Sequence, residues 1–217
     1  MSRCERIFGA SCLLMGESGL ILEVQKSHKW RREDDGRLVI GLGCIGGALE
    51  KKESPVAALQ REGREEIGCG LLLRSAGFTI EVSACGNVWT RGWTASEVRP
   101  VLIWEISKPG HIANAKVAVY LGKPDGNAEP CDLPAIAFMD IDLMLRIGSE
   151  RLSVDAAISR NAEVRQREPI PQNALLELVG TPKVFHSLYS THRDITDSII
   201  ARLQQALRSD HPPARIV

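Results

Sequence analysis

The 217-residue chain has no apolar run long enough for a membrane helix, no CxxC pair, no internal repeat and no excess of either charge. A membrane-spanning helix needs about 20 consecutive apolar residues, which this sequence nowhere supplies. The opening MSRCERIFGASCLLMGESG makes a poor signal peptide, because its apolar run is short and Glu17 follows without a convincing cleavage site. Lys+Arg and Asp+Glu each number 27, giving a formal net charge of zero. That balance argues against a general nucleic-acid binder, whose affinity comes from a basic excess, although it leaves room for a local basic patch. The six cysteines (Cys4, Cys12, Cys44, Cys69, Cys85 and Cys131) are scattered. This pattern favours reduced, mostly buried thiols in a cytoplasmic protein over a disulfide framework or a zinc site.

What is present fits a globular protein, with 44% hydrophobic and 25% charged residues. RIFGASCLLMG and GLILEVQ read as two strands joined by a turn at ESG, and RLVIGLGCIGGAL as a strand entering a tight turn. SPVAALQREGREEIG carries a helix start and stop: Ser54 caps, Pro55 suits the first position and Gly68 suits the exit. Further β-rich segments follow, then LPAIAFMDIDLMLRI as a strand running into a helix, and a mainly helical stretch from about residue 150. The alternation predicts a mixed α/β fold.

The helix over 55–67 raises a problem of charge. Val56, Leu59, Gly63 and Ile67 share one stripe, while Glu62 stands one turn from both Glu65 and Glu66 on another. Like charges at that spacing repel; Arg61 and Arg64 offset part of the repulsion, and a bound cation would offset more. A bare REGREE is also compatible with a solvated face laced by salt bridges. The longer spacing decides between them. Gly47, five residues, Glu53, seven residues, Arg61-Glu62, one residue, Arg64-Glu65-Glu66, one residue and Gly68 resembles the box of the Nudix hydrolase family. Every fixed Gly, Glu and Arg of that box is present. Gly63 and Cys69 stand where the family has aliphatic residues, and CIGG stands where relatives often have Pro-Gly-Gly. Glycine at position 63 costs roughly 1 kcal/mol of helix propensity relative to alanine, which predicts a bulky neighbour packed against the bare backbone.

The resemblance implies a Nudix-type α/β/α sandwich with a mixed sheet over residues 1–147, and a mainly helical C-terminal extension, 148–217, packed on it. It implies a metal-dependent pyrophosphohydrolase acting on a nucleoside diphosphate linked to another moiety, with Mg²⁺ or Mn²⁺ as cofactor. Glu62 and Glu66 would be the main ligands, and Glu65 a further ligand or the base. The Gly46 carbonyl would complete the ligand set, while Glu53 and Arg61 would serve as structural supports. A later acid is expected around CDLPAIAF, either Asp132 within it, six residues before Phe138, or Glu129 just ahead of it; both are equally readable as ordinary loop acids. The alternative is a non-catalytic Nudix-fold module that senses a nucleotide, with the C-terminal helices serving dimerisation. The intact box favours the enzyme. The expected partner is a small nucleotide-type molecule, with a homodimer possible and no membrane involved.

Substrate signals are thin. In NVWTRGW, Trp89 and Trp93 flank Arg91; aromatics there could stack a base and Arg91 meet phosphate, or one tryptophan could be core and the other pack a hairpin. Trp30 with Arg31 and Arg32 poses the same choice. His186 and His192 have no convincing metal partner in the sequence and are expected to pack or face solvent.

Overall fold

The computed structural model describes residues 6–91, 98–106 and 115–208. Its strands form one mixed sheet, built around two long strands, β1 (Arg6–Gly16) and β4 (Leu38–Ala48). The hairpin partner β2 (Gly19–Val24) lies antiparallel to β1 and continues onto β4, pairing Glu23 with Gly43. The short β3 (Arg31–Arg32) also pairs with β4. Beyond β1 come β9 (Ala115–Pro124), parallel to it, then β8 (Leu102–Glu105), β6 (Thr79–Val82) and the edge strand β7 (Val88–Arg91). β5 (Leu71–Arg74) pairs with β9, and β10 (Ala135–Met139) pairs with β2.

Helices cover both faces, as expected for an α/β/α sandwich. The helix α1 (Pro55–Ile67) packs Ala58, Leu59 and Ile67 against Ala10, Cys12, Leu14 and Ile45. On the other face, α2 (Ile141–Glu150), α3 (Val154–Ile158), α4 (Thr181–Thr191) and α5 (Arg193–Arg208) bury Met144, Ala157, Phe185, Ile199 and Leu203 against Leu13, Leu22, Leu42 and Val119. Alternation along the central strands drives this: in β2, Leu20, Leu22 and Val24 serve one core and Ile21 the other.

After residue 148 the helices alternate with two strands that a helical reading of this stretch does not anticipate. β11 (Glu163–Gln166) extends the sheet beside β10, and β12 (Leu175–Leu178) runs parallel to β4. Both are only four residues long, so neither carries enough alternation to announce itself in the sequence. Among the described residues, no helix is long and apolar enough to cross a membrane.

Candidate active site

Local signals set α1 in place. Ser54 accepts a hydrogen bond from the Ala57 N–H at 3.2 Å, Pro55 opens the helix, and Gly68 leaves it in the left-handed conformation at φ 72°. The packed stripe contains Gly63, where an added methyl would stand 2.8 Å from the Cys69 carbonyl oxygen and 2.9 Å from Leu71 Cγ. The bulky neighbour is thus Leu71, whose side chain fills the space of the missing one. Gly63→Leu is expected to lose about 1–3 kcal/mol in chemical denaturation despite leucine's better helix propensity; a gain in stability would contradict this packing.

The three helix glutamates do not stay together. Glu66 is buried at 8% exposure and accepts a hydrogen bond from the Gly46 N–H at 3.0 Å. Glu62 lies on the bare backbone of Gly47, where an added methyl would be 2.2 Å from Glu62 Oε1. Glu65 turns outward, its side chain 53% exposed. Arg61 ties the set: it bonds Glu53 through two nitrogens at 3.0 and 3.1 Å, Glu62 at 2.8 Å, Glu65 at 3.0 Å and the Ala48 carbonyl at 3.2 Å. It thereby holds Glu53 below the usual carboxylate range, and the pair braces α1 against the end of β4.

A carboxylate outside the box completes the cluster. Glu23 of β2 lies across Gly43, where an added methyl would meet Glu23 Oε1 at 2.2 Å. Burial pushes the Glu23 carboxyl up, Lys29 opposes this, and Glu62 adds to it. Burial also pushes Glu66 up, reinforced by Glu23 and opposed by the Gly46 N–H. Repulsion among desolvated carboxylates is what a cation would relieve. The sequence signal for Glu23 is subtle: a charged residue sits on the buried face of a strand, opposite a glycine in an apolar strand that has no local reason for one.

Glu23, Glu62 and Glu66 lie against Gly43, Gly47 and Gly46 of β4 in turn and offer only oxygen donors, the chemistry that a hard divalent cation takes. Among the described residues no three His, Cys, Asp or Glu side chains already stand as a ligand group. Glu62 accepts from Arg61 at 2.8 Å while lying on Gly47, next to the Gly46 that donates to Glu66.

The later acids are placed by the same helix. The N–H groups of Glu129, Cys131 and Asp132 donate to the carbonyls of Ile67, Glu66 and Glu65 at 3.1, 2.9 and 3.1 Å. They satisfy carbonyls that a helix C-terminus leaves open. The Asp132 carboxylate pairs with Lys26, which holds it below the usual range. The Lys26 ammonium is also within electrostatic reach of Glu66 and Glu23. Glu129 instead pairs with Arg165 at 3.2 Å. Asp132 therefore reaches the acidic cluster through Lys26, and Glu129 faces away towards β11.

Of the residues considered for substrate contact, Trp89 is 44% exposed on edge strand β7, whereas the Arg91 side chain and Trp93 lie outside the described residues. Trp30 donates its indole N–H to the Gln25 carbonyl at 2.6 Å and packs on the core. Arg31 pairs with Glu33 and Glu177, and Arg32 bonds the Gly36 carbonyl. His186 packs on Gly148 with its Nε2 3.0 Å from Ser149 Oγ, and His192 contacts Thr191. Cys12, Cys44 and Cys69 are buried free thiols, and Cys85 and Cys131 are exposed ones.

No family model matches the sequence, and no curated protein matches it. Solved structures do. A hydrolase of the NUDIX family from Clostridium perfringens shares 14% identity, with 72% of this chain and 94% of that one covered and a TM-score of 0.42. A structure assigned provisionally to the nudix hydrolase family, from Chromobacterium violaceum, shares 12% identity over 95% of this chain and 94% of its own, with a TM-score of 0.40. An ADP-ribose pyrophosphatase from Streptococcus suis 89-1591 shares 14% identity over 62% of this chain and 73% of that one, with a TM-score of 0.33.

Proposed function

We propose that this chain is a metal-dependent pyrophosphohydrolase that cleaves a nucleoside diphosphate linked to another moiety. The observation that carries the reading is that the RE–REE part of a complete box lies on one helix, with Glu62 and Glu66 brought against the glycines of β4, on which Glu23 also lies. Mg²⁺ or Mn²⁺ would be held by Glu62, Glu66 and the Gly46 carbonyl, with Glu23 and Glu65 adjoining. When bound, the cation supplies charge neutralisation for a pyrophosphate and acidifies water.

The chain's own groups divide the remaining work. Arg61 orients Glu62 and Glu65 through charge-assisted hydrogen bonds. Glu65 is the solvent-facing carboxylate suited to accept the proton of the attacking water. Lys26 and Lys29 flank the cluster with ammonium groups for phosphate oxygens. Asp132 positions Lys26, so Asp132→Asn is expected to lower kcat/KM, and Glu129→Gln to stay near wild type. Steady-state kinetics on both variants checks this, and the opposite ranking would move the role to Glu129.

The activity itself is tested by incubating the protein with nucleotides, nucleotide sugars, ADP-ribose and dinucleotides, with Mg²⁺ or Mn²⁺, and identifying products by mass spectrometry. Cleavage of a phosphoanhydride bond supports the enzyme. Binding of a panel member without cleavage would instead make the chain a nucleotide-sensing module.

A further inference from the structure

A second feature adjoins the acidic cluster. On one edge of β4 the neighbour changes from β12, which pairs up to Leu178 with Leu42, to β1, which begins pairing at Cys12 with Ile45. The chain leaves β12 at Val179 and turns into α4, and a cavity of about 500 Å³ opens at this junction. That is within the roughly 300–1,000 Å³ of small-molecule sites. Its walls include Ser11, Gln25, Trp104, Val117, Gly180 and Thr181, and it shares Glu23, Gly43, Gly46 and Gly47 with the acidic cluster.

We infer that this cavity holds the base of a nucleoside phosphate, with Trp104 as its stacking surface and Thr181, from the C-terminal segment, fixing the plane of the indole. This rests on the pyrophosphohydrolase reading for the identity of the neighbouring phosphate site. Trp104 is half-buried on β8 and donates its indole N–H to Thr181 Oγ1 at 3.1 Å. Thr181 is buried and shares a 2.6 Å hydrogen bond with the buried Ser11. Indole has a single donor, and here it is used inside the protein, so what Trp104 has left for a ligand in the cavity it lines is the apolar surface of its ring. A π-face held in one orientation favours a flat ring.

Gln25, also in the lining, favours a ring with a polar edge. Gln25 lies across bare Gly41, where an added methyl would stand 2.3 Å from Gln25 Oε1. Its amide carries both a donor and an acceptor, matching a base edge and having no use against an aliphatic chain. Lys29 adds an ammonium to the lining, suited to the phosphate end of the ligand. The helical segment beyond residue 148 thus becomes part of substrate recognition, supplying Gly180 and Thr181.

Calorimetric titration in EDTA separates this pocket from catalysis, because nothing is hydrolysed. The probes are the four common nucleoside 5′-monophosphates and ribose 5-phosphate. At least one nucleotide should bind tenfold or more tightly than ribose 5-phosphate. Trp104→Leu should weaken that nucleotide roughly ten- to a hundredfold and leave ribose 5-phosphate unchanged. Trp104→Phe, which keeps a ring, should retain most of the affinity. Thr181→Val, close in shape, should lose several-fold on the nucleotide alone and serves if Trp104→Leu fails to fold. The inference is overturned if the wild type binds no nucleotide, if ribose 5-phosphate binds equally well, or if Thr181→Val and a folded Trp104→Leu bind like the wild type. Phosphoanhydride turnover without base preference would sink the pocket and spare the enzyme; nucleotide binding without any turnover would do the reverse.

Discussion

Glu66→Gln is expected to lower kcat/KM by at least roughly 10³-fold, about 4 kcal/mol at 1.36 kcal/mol per decade, while leaving the far-UV circular dichroism unchanged. The amide keeps the shape and can still accept from the Gly46 N–H, but it removes the buried charge that the cation site needs. Without divalent cations the same variant should melt higher than wild type, because the amide has no charge to desolvate on burial and none for Glu23 and Glu62 to repel. The sign of the pH dependence follows. Burial holds the proton on Glu66 well above the range at which an unfolded chain releases it. Between those two pKa values the folded state binds more protons, so stability is greatest below the unfolded value and is lost as pH rises towards the folded one. Cation-free wild type should therefore melt lower at about pH 8 than at about pH 5, and Glu66→Gln should flatten that slope. Equal turnover by the variant would remove Glu66 from the site.

Arg61→Ala is the second large effect. One guanidinium serves Glu53, Glu62, Glu65 and the Ala48 carbonyl. The Glu53 and Glu62 side chains are only 13% and 14% exposed, so water replaces it poorly. Loss of roughly 2–3 kcal/mol in chemical denaturation is expected, with activity falling further because α1 loses its brace to β4. Arg61→Lys should recover little of either, since an ammonium cannot make the two-nitrogen contact to Glu53. Full rescue by lysine would show that only the charge matters.

The box helix was legible in the sequence because its determinants are local. Ser54, Pro55 and Gly68 mark its ends, and the spacing of Glu62, Glu65 and Glu66 follows from the helical repeat. Glu23 was not legible, since its place depends on the β2–β4 register, which sets it on Gly43. The division of labour among the helix glutamates was hidden for a related reason. Helical spacing puts Glu65 and Glu66 next to each other, and only the position of β4 decides that Glu66 turns in and Glu65 out. Thr181 was invisible for the same cause: its contacts to Ser11 and Trp104 span 170 and 77 residues.

On the proposed function, water attacks a phosphoanhydride at the Glu62–Glu66 site. Its most direct test is the reaction of a nucleotide-sugar and dinucleotide panel in ¹⁸O-labelled water with Mg²⁺ or Mn²⁺, run beside Glu66→Gln and read by mass spectrometry. Two phosphorylated products are expected from a cleaved substrate, one of them carrying a single ¹⁸O, and no such products from the variant. Absence of cleavage across the panel with both metals, or identical labelled products from Glu66→Gln, would contradict it.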